Sequence, residues 1–173
     1  MSAVRATPDE ISLTYPNRDR AATHITKAFV VLLLLLSAAL MLAVAIGGWS
    51  QLQGMTPVTF AWVLCYLVIA YFIGRRWARG LLPVAAALAL LLLLVSLIAG
   101  VGGAGTSWFD RTDRGYAAAQ SLFGGAGFSA NTLGLLTLLI APLQALLIVF
   151  ASQGFAQKWN VEVEVPVPAP RHA

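Results

Sequence analysis

Few residues in this chain have the type and spacing for chemistry, and Asp110 and Asp113 form the best candidate pair. On a helix, two carboxylates three residues apart share one face and could act as acid and base or as metal ligands. Arg111 and Arg114 lie beside them, and Asp110 with Arg114 has the acid-first, four-residue spacing of a helical ion pair. A salt-bridged surface turn explains these residues with fewer assumptions than catalysis. We therefore expect no catalytic residues and no enzyme activity.

The histidines and the cysteine are placed where they form no cofactor site. His24 precedes the first apolar stretch, His172 is next to last in the chain, and Cys65 is the only cysteine. Haem held between membrane helices needs histidines within the spans, and zinc needs a cluster of His and Cys. We expect no cofactor and no metal ion, and we interpret Cys65 as a small buried hydrophobic side chain.

The composition is typical of a membrane protein. Hydrophobic residues make up 59% of the chain and charged residues 10%, against about half and a quarter in soluble domains. The formal charge is +4, but the basic residues form no polybasic run and no nucleic-acid-binding motif. We expect membrane lipid as a partner, with another membrane protein or a second copy of the chain, and no nucleic acid. The residues indicate no small-molecule substrate.

Four apolar stretches predict an all-α bundle of four transmembrane helices. The expected spans are residues 28–49, 57–74, 81–101 and 133–155. Each is long enough, at about 1.5 Å per residue, to cross most or all of a hydrocarbon core of roughly 30 Å. A cleaved signal peptide is the less favoured alternative for the first, because its apolar run exceeds the usual length. Pro142 in the fourth span should kink the helix or be tolerated.

The basic residues predict the orientation. Nine of the eleven Lys and Arg residues flank the spans on the side of both termini, and only Arg111 and Arg114 lie on the other. The positive-inside rule then places the N-terminal segment (1–27) and the tail (156–173) in the cytoplasm, with the bundle (28–155) in the membrane. The topology determinants in the short hairpin are Arg75, Arg76 and Arg79. The tryptophans expected to anchor the span ends in the interface are Trp49, Trp77, Trp108 and Trp159.

The segments outside the spans carry two further predictions. In the outer loop (102–132), residues 116–123 could form a short amphipathic helix in the interface, and a re-entrant dip is the weaker alternative. The tail alternates apolar and acidic residues from Val161 to Val165 before two prolines. An extended strand that adds to a partner's sheet fits this pattern, although a solvated, disordered tail is favoured.

Small and amide side chains in the spans predict close helix contacts. The helix-packing candidates recur every four residues, and they are Ala39, Ala43 and Gly47 in the first span and Ser96, Gly100 and Ala104 at the end of the third. Gln144 and Gln153 in the fourth span could hydrogen-bond across helices, and a position at the interface is the alternative for Gln153.

The polar lead, the four spans and the run from Gly154 to Glu162 (GFAQKWNVE) resemble small, functionally uncharacterised four-span membrane proteins of actinobacteria. The resemblance implies a location in a bacterial plasma membrane but no activity. Two main hypotheses follow, with a lipid-modifying enzyme as a much less favoured third. The chain is a non-catalytic accessory or assembly subunit of a larger cell-envelope complex, or else a component of a small oligomeric transporter or channel whose polar lining comes from other subunits.

Overall fold

The structure is a computed structural model that describes residues 11–100, 108–109 and 120–166, and it is almost wholly helical. The elements in chain order are β1 (Ile11–Thr14), α1 (Ala21–Gly47), α2 (Trp49–Leu52), a 3-10 turn (Gln53–Met55), α3 (Thr56–Arg76), α4 (Leu81–Gly100), α5 (Ala130–Ala156) and β2 (Val163–Pro166).

Helices α1, α3, α4 and α5 are each long and apolar enough to cross a membrane, which confirms the prediction of four membrane-capable helices. Helix α1 begins seven residues before the predicted span and α5 three residues before. At 27 residues each, both are about 40 Å long, so their ends extend beyond the hydrocarbon core. The predicted first span began after Lys27 because a charged residue was excluded from it, whereas α1 includes Lys27.

The helices follow the spatial order α3, α1, α5, α4, with α1 against both α3 and α5, and α5 against α4. Helices α3 and α4 touch each other little, although only four residues join them. We call the side of the bundle that holds β1, β2 and this hairpin the terminus side, and the opposite side, which holds α2, the loop side.

The contact between α4 and α5 depends on Gly100. A Cβ atom at this position would lie 2.9 Å from the backbone nitrogen of Leu138 and 3.1 Å from the carbonyl oxygen of Gly134. Any larger side chain would therefore push the two backbones apart.

Local sequence explains where α3 and α5 begin. Pro57 lies in the first turn of α3, where its missing N–H is not needed. The Ser129 side chain caps α5 by accepting a hydrogen bond from the backbone N–H of Thr132 at 3.2 Å. Helix α5 then continues through Pro142, so this proline does not end the helix.

The two terminal segments pair as an antiparallel two-stranded sheet, with Ile11 opposite Pro166 and Thr14 opposite Val163. Residues 163–166 of the tail are therefore extended, and their partner is the N-terminal segment of the same chain. The sequence did not predict this pairing, and it had favoured disorder here.

Residues 120–123 do not form the predicted interfacial helix. Gln120 instead forms a bridge to Ala126 across a turn, where Gly124 and Gly125 have φ of +89° and +79°. This left-handed conformation favours glycine and ends a helix. The remainder of that predicted helix, residues 116–119, lies outside the described residues.

Candidate functional site

A chain of hydrogen bonds joins three helices inside the bundle. The Tyr66 hydroxyl on α3 donates to Gln144 Oε1 on α5 at 2.7 Å. Gln144 Nε2 in turn donates to Ser37 Oγ on α1 at 2.7 Å, and Ser37 donates to the carbonyl oxygen of Leu33 at 2.7 Å. The three side chains are fully buried. Each of the three side chains therefore donates at least one hydrogen bond inside the bundle, as polar groups in lipid require.

The polar chain has a structural role, because its hydrogen bonds join helices and supply no catalytic group. All three side chains are uncharged, and Ser37 donates to a backbone carbonyl rather than to a base, so nothing activates it as a nucleophile. Interhelical hydrogen bonds of this kind hold membrane helices together. The expectation for Gln144 is confirmed, whereas Gln153 is exposed. The sequence analysis missed Ser37 and Tyr66, although polar residues within apolar spans are the feature that could have identified them.

A second cluster surrounds Trp77 on the terminus side. Lys27 Nζ lies 3.7 Å from the centre of a Trp77 ring, and the Arg18 guanidinium carbon lies 5.9 Å from it. The rings of His24 and Trp159 meet Trp77 edge to face at 5.1 and 5.5 Å. Aromatic faces attract cations, so the cluster holds a charged side chain of α1 at the end of the bundle.

Trp77 also ends α3 in a left-handed conformation, with φ of 53°. Glycine usually occupies this position, because a side chain makes the conformation costly. The contacts of the indole offset that cost and explain why tryptophan stands there.

Trp159 anchors the tail to the bundle and is fully buried. Its Nε1 donates to Gln157 Oε1 at 2.9 Å, and Gln157 Nε2 donates to Thr26 Oγ1 of α1 at 2.9 Å. Arg18 Nε donates to the Trp159 carbonyl at 3.0 Å. Trp159 is thus a core residue of the terminus side rather than the interface anchor that the sequence suggested.

Further contacts tie the termini and the hairpin together. Arg79 donates from Nε to the Phe155 carbonyl at 2.9 Å and from Nη1 to Asn160 Oδ1 at 3.0 Å. The Tyr15 hydroxyl donates to Glu162 Oε1 at 2.9 Å. This hydrogen bond to a carboxylate raises the pKa of Tyr15 above its ordinary value.

The other basic residues of the hairpin face solvent. Arg75 and Arg76 are exposed, and neither makes a hydrogen bond or an ion pair within the described part of the chain. Arg20, beside the start of α1, is exposed in the same way. Their charge therefore remains available to the surroundings on the terminus side.

The tryptophans at the loop side differ from those at the terminus side. Trp49 is 38% exposed and Trp108 is 43% exposed. Trp49 packs edge to face on Phe60 at 6.2 Å between ring centres. Both rings lie near the ends of long helices, where amphipathic rings are favoured at a membrane interface.

The helix-packing candidates divide into two groups. Gly100 packs against α5, Ser96 is buried on the same helix, and a Cβ on Gly47 would collide with the Phe128 ring. Ala39 is exposed and Ala43 only half-buried, so the stripe on α1 does not face a neighbouring helix of this chain. The buried face of α1 instead includes Ser37, because the polar chain requires that side chain inside. Ala104 lies outside the described residues.

Cys65 also differs from its expected place. It is exposed on α3 and points away from the bundle. A free cysteine behaves as a small apolar side chain, so contact with lipid is as favourable for it as burial inside the protein.

Asp110, Asp113, Arg111, Arg114 and His172 lie outside the described residues. Within residues 11–100, 108–109 and 120–166, no three His, Cys, Asp or Glu side chains come together as a metal site would require. No protein-family model, curated protein or solved structure matches this chain. The resemblance to actinobacterial membrane proteins thus stays an expectation.

Proposed function

We propose that this chain is a non-catalytic accessory or assembly subunit of a larger cell-envelope membrane complex. The observation that carries the proposal is the polar chain of Tyr66, Gln144 and Ser37. It directs the amide and hydroxyl groups of three helices to one another. A path for ions or polar solutes instead needs polar groups that face a channel, so the polar chain favours a packing role over transport by a single copy.

The proposed location is the bacterial plasma membrane, with both termini in the cytoplasm. Arg20, Arg75 and Arg76 support this orientation, because all three lie exposed on the terminus side and none has a partner for its charge among the described residues. Basic groups beside a span favour the cytoplasmic side, where the leaflet is negatively charged.

The terminal sheet is the proposed docking surface. Among the described residues, β1 and β2 pair only with each other, so each strand has an edge whose backbone groups are open to another strand. A lone two-stranded sheet is only marginally stable. A strand added by a partner would complete these hydrogen bonds and stabilise the sheet.

Purification of the tagged protein from its own membranes in mild detergent, followed by mass spectrometry of co-purifying proteins, tests the proposal. Two truncations sharpen the test. A chain that ends after Asn160 lacks β2 but keeps the Trp159 anchor, and a chain that ends after Pro166 keeps both. The proposal expects a stoichiometric larger protein with the full chain and with the longer truncation, and its loss with the shorter one.

The opposite result would be a full chain that purifies without a partner and gives solute flux after reconstitution alone. That outcome would overturn the accessory role and support the oligomeric transporter or channel component.

A further inference from the structure

A cleft lies between α3 and α4 in the loop-side half of the bundle, with a volume of about 250 Å³. The hairpin keeps the two helices together at the terminus side, and their contacts with each other are few beyond it. Residues of all four long helices line the space between them.

Burial shows which way the cleft opens. Its floor consists of buried residues of α1 and α5, including Met41, Val44 and Ile140. Its rim includes Val95 and Ile98 on α4, which are 49% and 80% exposed. The mouth therefore faces outward, into the surroundings of a membrane-spanning bundle.

Aromatic residues border the cleft beyond the loop-side end of α4. Trp108 and Phe109 both line it, and Phe109 is only 2% exposed. The floor is closed by the bundle, so the way in is from the lipid, between α3 and α4.

We propose that this cleft binds one hydrocarbon chain of a membrane lipid, a role that does not depend on the accessory function. Water is a poor occupant, because a buried water needs two to four polar partners. Among the described lining residues, only Thr59 and Thr137 carry hydroxyls, and Thr59 already donates to the Met55 carbonyl at 3.1 Å. The buried Thr137 Oγ1 has no hydrogen-bond partner among these residues, but a single unpartnered hydroxyl is fewer than the partners that a buried water needs.

Size excludes a protein helix and fits a lipid chain. A single turn of a helix with its side chains, about 10 Å across and about 5.4 Å long, occupies about 400 Å³, which exceeds the cleft volume of about 250 Å³. An apolar cavity of about 150 Å³ accommodates benzene, so this cleft has room for a chain segment of several methylene groups. Retention comes from close packing against the lining side chains, since transfer from lipid gains no hydrophobic free energy.

The test uses the purified chain, without a partner, in nanodiscs of phosphatidylcholine that contain a trace of the same lipid with a diazirine on one acyl chain. After illumination, mass spectrometry maps the adducts. We expect adducts to concentrate on Val95 and Ile98, at least fivefold above Leu135, which is 58% exposed on α5. Repeating the experiment with the diazirine at several positions along the acyl chain ensures that the comparison does not depend on how deep in the bilayer each residue lies.

A matched pair of variants on α4 completes the experiment. Ala99→Phe fills the cleft and should lower the adducts at Val95 and Ile98 to the level of Leu135, whereas Ala87→Phe, at an exposed position outside the cleft, should leave them unchanged. An even distribution of adducts in the unaltered chain overturns the proposal and leaves only general lipid contact. This distribution decides the matter by itself if Ala99→Phe does not fold.

Discussion

Replacement of Gln144 by leucine should weaken the bundle by breaking the polar chain at its middle. Leucine is similar in size to glutamine but can neither accept from Tyr66 nor donate to Ser37. Ser37 keeps its bond to the Leu33 carbonyl, whereas the buried Tyr66 hydroxyl loses its acceptor.

The magnitude follows from the two lost bonds. Interhelical hydrogen bonds in membrane proteins contribute about 0.6 kcal/mol on average and up to about 1.7 kcal/mol. Leaving the buried Tyr66 hydroxyl without an acceptor costs about 1–3 kcal/mol. Part of this cost is already counted in the loss of the two hydrogen bonds, so the two contributions do not simply add. We expect Gln144→Leu to lower the free energy of unfolding by about 2–3 kcal/mol, roughly a 30- to 150-fold change in the folding equilibrium.

Equilibrium unfolding in mixed micelles, with the mole fraction of dodecyl sulfate as the denaturant and tryptophan fluorescence as the probe, measures this loss. Gln153→Leu is the matched control, because Gln153 lies exposed on the same helix and its replacement should change stability by less than about 0.5 kcal/mol.

The double variant tests the coupling between the partners. Tyr66→Phe should cost less in the Gln144→Leu background than in the unaltered chain, by about 0.6–1.7 kcal/mol, because the hydroxyl it removes has already lost its acceptor. Strictly additive losses, or equal effects of Gln144→Leu and Gln153→Leu, would refute the argument.

Three further predictions concern other parts of the molecule. Gly100→Ala should destabilise the protein by about 1–3 kcal/mol, because the added Cβ would overlap the backbone of α5. The control Gly80→Ala should be nearly neutral, because no described atom lies within 4 Å of a Cβ at this position. Thermal unfolding of the two variants measures the difference. Because the folded-state pKa of Tyr15 is raised, its contact with Glu162 stabilises the protein below the unfolded pKa of about 10 and is lost as pH rises through the folded value. Ultraviolet titration should show this shift shrink in Glu162→Gln, and an unchanged profile would contradict it. With the natural cysteine replaced by serine, Gly80→Cys and Gly54→Cys should react with an impermeant maleimide from opposite membrane faces, and labelling from one face would contradict the four-span topology.

Hydropathy was sufficient to locate the four long helices. A run of about twenty apolar residues matches the thickness of the bilayer, and within lipid a helix satisfies its own backbone hydrogen bonds. The ends of α1 were harder to predict. The charge of Lys27 suggests that an apolar span starts after this residue. In the structure, the ammonium group of Lys27 instead lies against the Trp77 ring, within helix α1. That contact joins residues fifty positions apart, which local patterns do not reveal.

The packing faces were only partly predictable for the same reason. Gly100 stood in a small-residue pattern and does pack closely, but the equivalent pattern at Ala39 faces outward. Which face of a helix is buried depends on the side chains of the neighbouring helices. On α1 the buried face contains Ser37, because Gln144 of α5 donates a hydrogen bond to its hydroxyl. The pairing of β1 with β2 depends on both termini reaching the same side of the bundle, so it follows from the topology rather than from either strand.

The most direct test of the accessory role is native mass spectrometry of the complex released from its own membranes in mild detergent. The chain has a mass of 18.3 kDa. The proposal expects a species whose mass equals this chain, at an integer stoichiometry, plus one or more larger proteins. A series at simple multiples of the chain mass would contradict the proposal and point to a homo-oligomer.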